Sequence, residues 1–577
     1  MSFANYDLTP INQAEGRAFC GWVAVAEALS QRVVSTRHCM VVELYPGADA
    51  AEIRAGLEAE ITFDHVVEVE SYYKSPYEID AALAPFLGDD PVFGRLNDFE
   101  IRDFFDTQAL EIAQEQCRRS GTILVIGTGA TVVCPHGDQL VYVNMARWPL
   151  QLRFREGRAF NLGTRGRPEK ATVLYKRAFF ADWRAADRLK THIMPAMDWL
   201  IDGNAVGAPV MVPGVTYRNA MQAITKRPFR VKPYFDAGPW GGQWMRKTFG
   251  LPEGPANYAW CFDCVPEENS LLLSFGGAVF EAPAIDAVLI EPARLLGHDV
   301  FDRFGAEFPI RFDLLDTVKG GNLSLQVHPR TAYIKDKFAV AYTQDESYYM
   351  LAAEPDATVY LGLKTGVEKE AMASDLRAAQ SGGPAFPVES YVNRYPARTH
   401  DHFLIPGGTV HCSGAGGVVL EVSATPYIFT FKLWDWGRLG LDGRPRPIHI
   451  DHGLANVAWE RDTEFTSREL VNAVEPLASG EGWREERTGL HTLEFIETRR
   501  HWFEGPVPHD TDGTVNVLNL VSGEACTVES PDARFAPFEV HYAETFIVPA
   551  SVGNYIIKPK GKGPHATLKA FVRREHI

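Results

Sequence analysis

Asn322-Leu323-Ser324-Leu325-Gln326-Val327-His328-Pro329 is the stretch on which the reading of this chain turns. Apolar and polar residues alternate along it, and a strand's period of two sets Gln326 and His328 on one face and Val327 on the other. Two further segments offer partners of matching chemistry. Glu346 lies in Gln344-Asp345-Glu346-Ser347-Tyr348-Tyr349-Met350-Leu351, a turn running into an aromatic strand, and His411 ends the tight turn Pro406-Gly407-Gly408-Thr409-Val410. Two imidazoles, one carboxylate and one amide oxygen form a four-ligand set for a divalent ion, and zinc suits it. The two histidines with Glu346 also suit non-haem iron, so spacing alone leaves the metal open.

Outward from this stretch, from about Pro233 onward, short apolar runs alternate with Gly- and Pro-rich turns. They include Ser270–Ser274, Val359–Leu363, His402–Pro406 and Val418–Val422. Many short strands punctuated by turns predict a sandwich or jelly roll. The segment His402–His411 has an echo in Glu544–Asn554; aligned on Pro406 and Pro549, His411 falls opposite Asn554. Two related β-barrels explain the echo, with the metal position kept in the first and lost in the second.

Before Pro233 the texture differs. Val41–Leu44 is a strand candidate, Ala50–Glu60 a helix with Ile53, Leu57 and Ile61 four apart, Leu110–Cys117 another helix and Thr122–Ile126 a buried strand. This rhythm predicts a parallel α/β sheet. The turn Gly127-Thr128-Gly129 has the backbone freedom to cradle a phosphate, yet no Gly-x-x-x-x-Gly-Lys-Ser/Thr pattern occurs and no third glycine follows. A tight turn after a core strand accounts for it. The layer faintly resembles a nucleoside kinase that has lost its phosphate loop, and no site residue is carried over from that resemblance.

The words around the four candidate ligands carry a stronger resemblance. Leu323–Pro329 resembles the L-S-I-Q-V-H-P segment of class I mannose-6-phosphate isomerases, Glu346-Ser347-Tyr348-Tyr349 their E-x-W-Y and Ile405–His411 their P-A-G-T-V-H. Glu421-Val422-Ser423 with Trp434-Asp435-Trp436-Gly437-Arg438 resembles E-I-Q…Y-D-W-x-R, and Pro239-Trp240-Gly241-Gly242 resembles the family's W-G-G. These motifs keep the family's order across residues 230–460.

The resemblance implies a cupin fold, one zinc ion per chain held by Gln326, His328, Glu346 and His411, and Arg438 at the substrate assisting proton transfer. It implies an aldose–ketose isomerase interconverting mannose 6-phosphate and fructose 6-phosphate through an enediolate, whose negative charge a divalent ion stabilises. The expected layout is multidomain α/β plus β. An α/β layer occupies residues 1–228, a catalytic cupin domain 229–460 and a degenerate C-terminal cupin domain 461–577. The chain departs from the family at Gln344, where many relatives carry lysine. Lys432 stands where relatives often place arginine and is a candidate substrate-binding residue for an anionic sugar. Lys319 and Lys335, which flank the Gln-x-His strand, read equally well as solvated charges. If no lysine reaches the pocket, the substrate is an unphosphorylated hexose; a sugar-binding regulatory protein that kept the metal is the further alternative.

The whole-chain arithmetic sets bounds. The chain has 577 residues, 46% hydrophobic and 23% charged, enough for several packed domains. Its formal charge of −17 disfavours nucleic acid and anionic lipid as partners, and the resemblance implies a small-molecule sugar or sugar phosphate. No run of about 20 apolar residues marks a membrane span, and no basic segment opens a signal peptide. Eight cysteines are sparse, and Cys20, Cys39, Cys117, Cys134, Cys412 and Cys526 stand alone in the sequence, which fits a reducing cytoplasm. Cys261-Phe262-Asp263-Cys264 lacks a second pair and reads as two packed thiols. Tyr175–Arg184 reads as an amphipathic helix, and His449 and His452 as cap-region or surface residues.

Overall fold

The computed structural model describes residues 5–30, 37–205, 207–424, 427, 429–489 and 494–574. The chain divides into two compact units. One comprises Ile11–Ile224 and Ser270–Glu291, the other Met1–Pro10, Thr225–Asn269 and Pro292–Ile577.

The first unit is built on a seven-stranded sheet. Its five parallel strands, in chain order Arg37–Leu44, His65–Glu68, Gly121–Gly127, Gln139–Asn144 and Trp199–Asp202, lie in the spatial order 2-3-1-4-5. Met40, Val41, Val42, Leu124 and Val125 are all at most 1% exposed, as strands covered on both faces require. Ile53 and Leu57 of the helix Ala50–Glu58 pack onto Met40, Val42, Leu124 and Ile126, and Asp49 caps that helix by accepting from the amides of Ala51 and Glu52.

The Gly127-Thr128-Gly129 turn holds no anion cradle. Its amides are taken by Glu43, which accepts from Gly129 N at 2.5 Å, Thr131 N at 2.8 Å and Thr131 Oγ1 at 2.8 Å. Burial nonetheless pushes Glu43 up to about 7. A second buried network lies nearby at the strand ends. Asp286 accepts from Tyr217 Oη at 2.5 Å and Asn144 Nδ2 at 2.8 Å and pairs with Lys190, whose ammonium also reaches Asn144 Oδ1 at 2.9 Å. Tyr175–Arg184, read as one amphipathic helix, spans two helices, Ala171–Arg177 and Trp183–Ile193, joined by the wide helical turn Ala178–Asp182, and Lys190 lies on the second.

The strand Ser270–Phe275 forms where the sequence predicts one, but not in the sandwich. It pairs with Ile11–Ala14 and Ala278–Pro283 in a three-stranded sheet of the α/β unit. One partner, Ile11–Ala14, is a distant segment, which periodicity cannot see. Cys39 and Cys134, isolated in the sequence, lie 3.4 Å apart. Cys261 and Cys264 sit buried in the strand Trp260–Cys264 as free thiols.

The second unit contains two two-sheet sandwiches. The first has the six-stranded order His402–Ile405, Glu346–Ala353, Gly417–Ser423, Arg311–Asp316, Trp260–Cys264, Tyr234–Asp236. It is paired with the five-stranded order Val392–Pro396, Thr358–Leu363, His411–Ser413, Leu325–Val327, Phe431–Trp434. The second sandwich repeats the scheme: Thr545–Val548, Asn516–Ser522, His565–Val572, Ile496–Phe503, Trp483–Gly489, Glu475–Gly480 face Phe538–His541, Ala525–Glu529, Tyr555–Lys560, Val507–His509. Each strand from Ile496 to Val572 has a counterpart between Arg311 and Ser423 in the same chain order, and every pairing is antiparallel. The sequence echo is thus structural, with one correction. The residue heading the strand opposite His411–Ser413 is Tyr555, not Asn554, because the short helical turn Ala550–Val552 adds a residue after Pro549.

Among the described residues no helix is long and apolar enough to cross a membrane.

Candidate metal centre

The strand Leu325–Val327 pairs with His411–Ser413 through Gln326 and His411, and with Phe431–Trp434 through Gln326 and Lys432. Val327 points away from the site, fully buried and close to Gly453 in the helix Ile450–Asn456. A methyl group on Gly453 would meet Leu433 Cδ2 at 2.5 Å, so glycine lets this helix lie here without that side chain moving. The turn before His411 is constrained in the same way. Gly408 has φ +95° and donates to the His328 carbonyl at 2.9 Å, and a Cβ on Gly407 would lie 2.6 Å from the Pro329 carbonyl. Arg461 clamps the turn from outside, donating to the carbonyls of Pro406 at 2.6 Å and Gly407 at 3.0 Å. No local signal in the sequence marks Arg461 for this task.

These elements bring His328, Glu346 and His411 together with their ligand atoms within 4.8 Å of one another, all fully or nearly fully buried. His328 Nε2 lies 3.0 Å from Glu346 Oε2, and His411 Nε2 lies 2.8 Å from Glu346 Oε1. Gln326 adds its amide, 3.2 Å from His411 Nε2. A half-turn of that amide exchanges its nitrogen for its oxygen. Among the described residues this is the one cluster of three or more His, Cys, Asp or Glu side chains suited to a metal ion.

The outer atoms fix the inner ones. His328 Nδ1 lies 2.8 Å from the Phe429 carbonyl and His411 Nδ1 lies 2.9 Å from the Thr409 carbonyl, so each donates its Nδ1–H outward. Each neutral ring then turns an Nε2 lone pair toward the carboxylate, and such an arrangement calls for a cation among them. His328 Nε2 and Glu346 Oε1 indeed have no hydrogen-bond partner. The donor set fits a divalent ion.

A proton on a ring supplies that positive charge as well. Burial alone would raise Glu346, but the facing His328 and His411 overcome it and hold the carboxyl well below its usual range. Burial opposes charge on His328, yet Glu346 against it gives a net rise. Gln344 donates to Glu346 Oε2 at 3.1 Å and accepts from Phe429 N at 3.0 Å. It therefore orients the carboxylate. Asp345, pushed up by burial to about 6, accepts from Gly407 N at 2.7 Å.

Arg438 is anchored rather than free. Its Nε and Nη2 donate to Asp435 Oδ1 at 3.0 and 2.7 Å, and its Nη1 donates to the Asn322 carbonyl. Asp435 also accepts from Ser324 Oγ at 2.9 Å and pairs with Arg446 at 3.2 Å, and Trp436 Nε1 donates to the Leu323 carbonyl at 2.6 Å. The Trp434–Arg438 segment is thus latched onto the segment that carries Gln326 and His328. Lys432 is partly buried; burial, with Arg446 and Arg438 close by, lowers it to about 8. Lys319 and Lys335 are exposed. His449 stands at the N-cap position of the helix Ile450–Asn456 without a side-chain capping bond, and His452 stacks on Phe431 with ring centroids 5.0 Å apart.

Sequence reasoning did not assign a further set of charges lining the six-stranded sheet. Asp313 and Glu421 are cross-strand partners, Glu421 pairs in turn with Tyr348, and all three are buried. Burial pushes Asp313 up to about 7 and, with Glu346 nearby, raises Glu421.

A family model described as a domain of unknown function (DUF8485) matches residues 21–226. The mannose-6-phosphate isomerase of Streptococcus mutans is 26% identical over 217 residues, 37% of this chain and 63% of that protein. The mannose-6-phosphate isomerase ManA of Bacillus subtilis is 24% identical over 233 residues, 40% of this chain and 68% of that protein. The chain thus spans somewhat less than two thirds of the Streptococcus relative. Among solved structures, the mannose 6-phosphate isomerase of Bacillus subtilis is similar with a TM-score of 0.49 and 18% identity, covering 60% of this chain and 99% of that one. A phosphomannose isomerase variant from Salmonella typhimurium has a TM-score of 0.47 and 14% identity, covering 60% and 100%. These relatives are aldose–ketose isomerases by name, and their likeness to this chain is partial.

Proposed function

We propose that this chain is a metal-dependent aldose–ketose isomerase interconverting mannose 6-phosphate and fructose 6-phosphate, with one zinc ion held by Gln326, His328, Glu346 and His411. The observation that carries the reading is the convergence of three buried ligand side chains whose imidazole lone pairs face a carboxylate. The named relatives supply the reaction class.

A bound divalent ion supplies positive charge for the oxygen anion that develops as the carbonyl migrates between C1 and C2. The protein's own groups do the rest. Thr409 and Phe429 carbonyls hold the imidazoles in one tautomer, and Gln344 holds Glu346. Arg438, fixed through Asp435 and the Asn322 carbonyl, presents a rigid guanidinium to the reacting end of the sugar, where it assists the proton transfer. Lys432, lowered only to about 8, keeps its charge near neutrality and is the group offered to the phosphate. Within residues 229–460, the part outside Ser270–Glu291 would carry the chemistry.

The test is fructose 6-phosphate formation from mannose 6-phosphate, measured before chelation, after it, and with Zn²⁺ restored. Turnover lost on chelation and regained with zinc supports the reading; metal-independent turnover, or none, overturns it. Gln344 in place of lysine favours a second reading, isomerisation of an unphosphorylated hexose. Running mannose in parallel separates the two, and sugar binding without turnover of either points to a regulatory protein.

A further inference from the structure

The strand-for-strand correspondence between the sandwiches allows their interiors to be compared position by position. In the first sandwich Asp313 pairs across to Glu421 and Glu421 to Tyr348; in the second the same row is Arg499, Lys569 and Leu518. Two buried carboxylates are exchanged for two cations. Glu346, which heads its strand, is matched by Asn516, and His411 by Tyr555, whose hydroxyl donates to Asn516 Oδ1 at 3.0 Å. Gln326, paired with His411, is matched by His509, paired with Tyr555. The set that suits a metal in one sandwich is closed off in the other.

Several polar groups there lack partners. His501 Nδ1, both ring nitrogens of His509 and Thr567 Oγ1 are buried without a hydrogen-bond partner. Their residues are 2%, 6% and 0% exposed. They form one cluster: the two imidazoles lie 4.4 Å apart between centroids, and His501 pairs across strands with Thr567. Glu485 sits 3.2 Å from His501 Nε2, so the neutral ring donates there and leaves Nδ1 as an acceptor. His509, stacked on Tyr555, offers one donor and one acceptor. Lys569 lies over the Phe571 ring at 5.3 Å, and among the described residues no carboxylate lies within 4.0 Å of its ammonium. Arg499 is neutralised by Glu485 at 3.1 Å and Glu497 at 2.6 Å. The Lys569 ammonium beside the imidazoles opposes a bound metal ion. Groups that both donate and accept, next to an ammonium, match a polyol bearing an anionic group.

We propose that the interior of the second sandwich binds a small hydroxylated anion, with its phosphate or carboxylate at Lys569 and its hydroxyls at His501, His509 and Thr567. The inference does not depend on the isomerase reading, because it uses none of the metal-centre residues. The experiment is titration calorimetry on the full chain with sorbitol 6-phosphate and with gluconate, neither of which is an aldose or ketose. The wild-type chain binds one equivalent more of at least one of them than Lys569→Met does; Lys569→Arg keeps that equivalent, and Thr567→Val weakens it about tenfold. The probe that shows the difference tells phosphate from carboxylate. Equal stoichiometry in the wild-type chain and Lys569→Met, or no binding of either probe to the wild-type chain, overturns the proposal. If Lys569→Met does not fold, crystals of the wild-type chain soaked in each probe decide it: density among His501, His509 and Lys569 supports the site, and none there refutes it. A failed isomerase assay leaves this difference in stoichiometry unchanged.

Discussion

Glu346 is the residue whose removal tells most about the first sandwich. Glu346→Gln keeps the shape and the hydrogen bond to Gln344 but removes the charge that faces both imidazoles. The purified variant is expected to hold less than about a tenth of the wild-type metal while unfolding at a similar temperature. Full metal content in that variant would mean that the ligands lie elsewhere. Glu43 makes a second prediction, on pH. Its folded pKa of about 7 stands above the ordinary value of 4.5, so the folded state retains a proton that the unfolded chain releases. The stability this contributes is complete below pH 4.5 and is lost as pH rises through 7, on the order of 3 kcal/mol in all. Glu43→Gln should flatten the fall in unfolding free energy between pH 5 and pH 8, measured in urea; an unchanged slope would assign it to other buried acids. At this scale much of the candidate centre was legible. Gln326 and His328 share a face through a period that is local to their strand. Arg461 and Asp286 were not legible, because what they hold lies far away in sequence.

At the scale of elements, the glycine pair after Trp240 was legible as a motif but not as a cause. A Cβ on Gly241 would meet Asn257 Oδ1 at 2.1 Å, and one on Gly242 would meet Asp316 Oδ1 at 2.1 Å. Asp316 cannot yield cheaply, since its two oxygens accept from Val318 N and Met245 N at 2.9 Å each. Gly242→Ala should therefore cost about 1–3 kcal/mol in denaturant unfolding. Gly254→Ala, with nothing within 4 Å, should stay within about 0.5 kcal/mol of the wild-type chain. Equal effects at the two sites would remove the steric explanation. Strand positions were mostly legible from alternation and turns. Strand partnership was not: Ser270–Phe275 reads like any strand of the sandwich, and only its pairing with Ile11–Ala14 assigns it to the α/β unit. The one-residue offset at Tyr555 was hidden for a related reason, as a proline alignment cannot register the turn Ala550–Val552.

At the scale of the molecule, the α/β unit needs the hairpin that follows Asn269. A fragment of residues 11–228 lacks Asp286, which leaves Lys190 buried without its carboxylate, a loss of about 3–5 kcal/mol for a broken buried pair. That fragment should show no cooperative thermal transition, whereas residues 11–224 joined by a Gly/Ser linker to 270–291 should show one. Cooperative unfolding of the shorter piece would mean that the hairpin is dispensable. The chain enters this unit twice, and the consequence reaches back to its making on the ribosome. Lys190 and Asp286 are 96 positions apart, so at about 5–20 residues per second the lysine waits roughly 5–20 s for its counter-charge to be translated. During that interval the nascent α/β layer is unfinished, and the first strands of the neighbouring unit have already been synthesised.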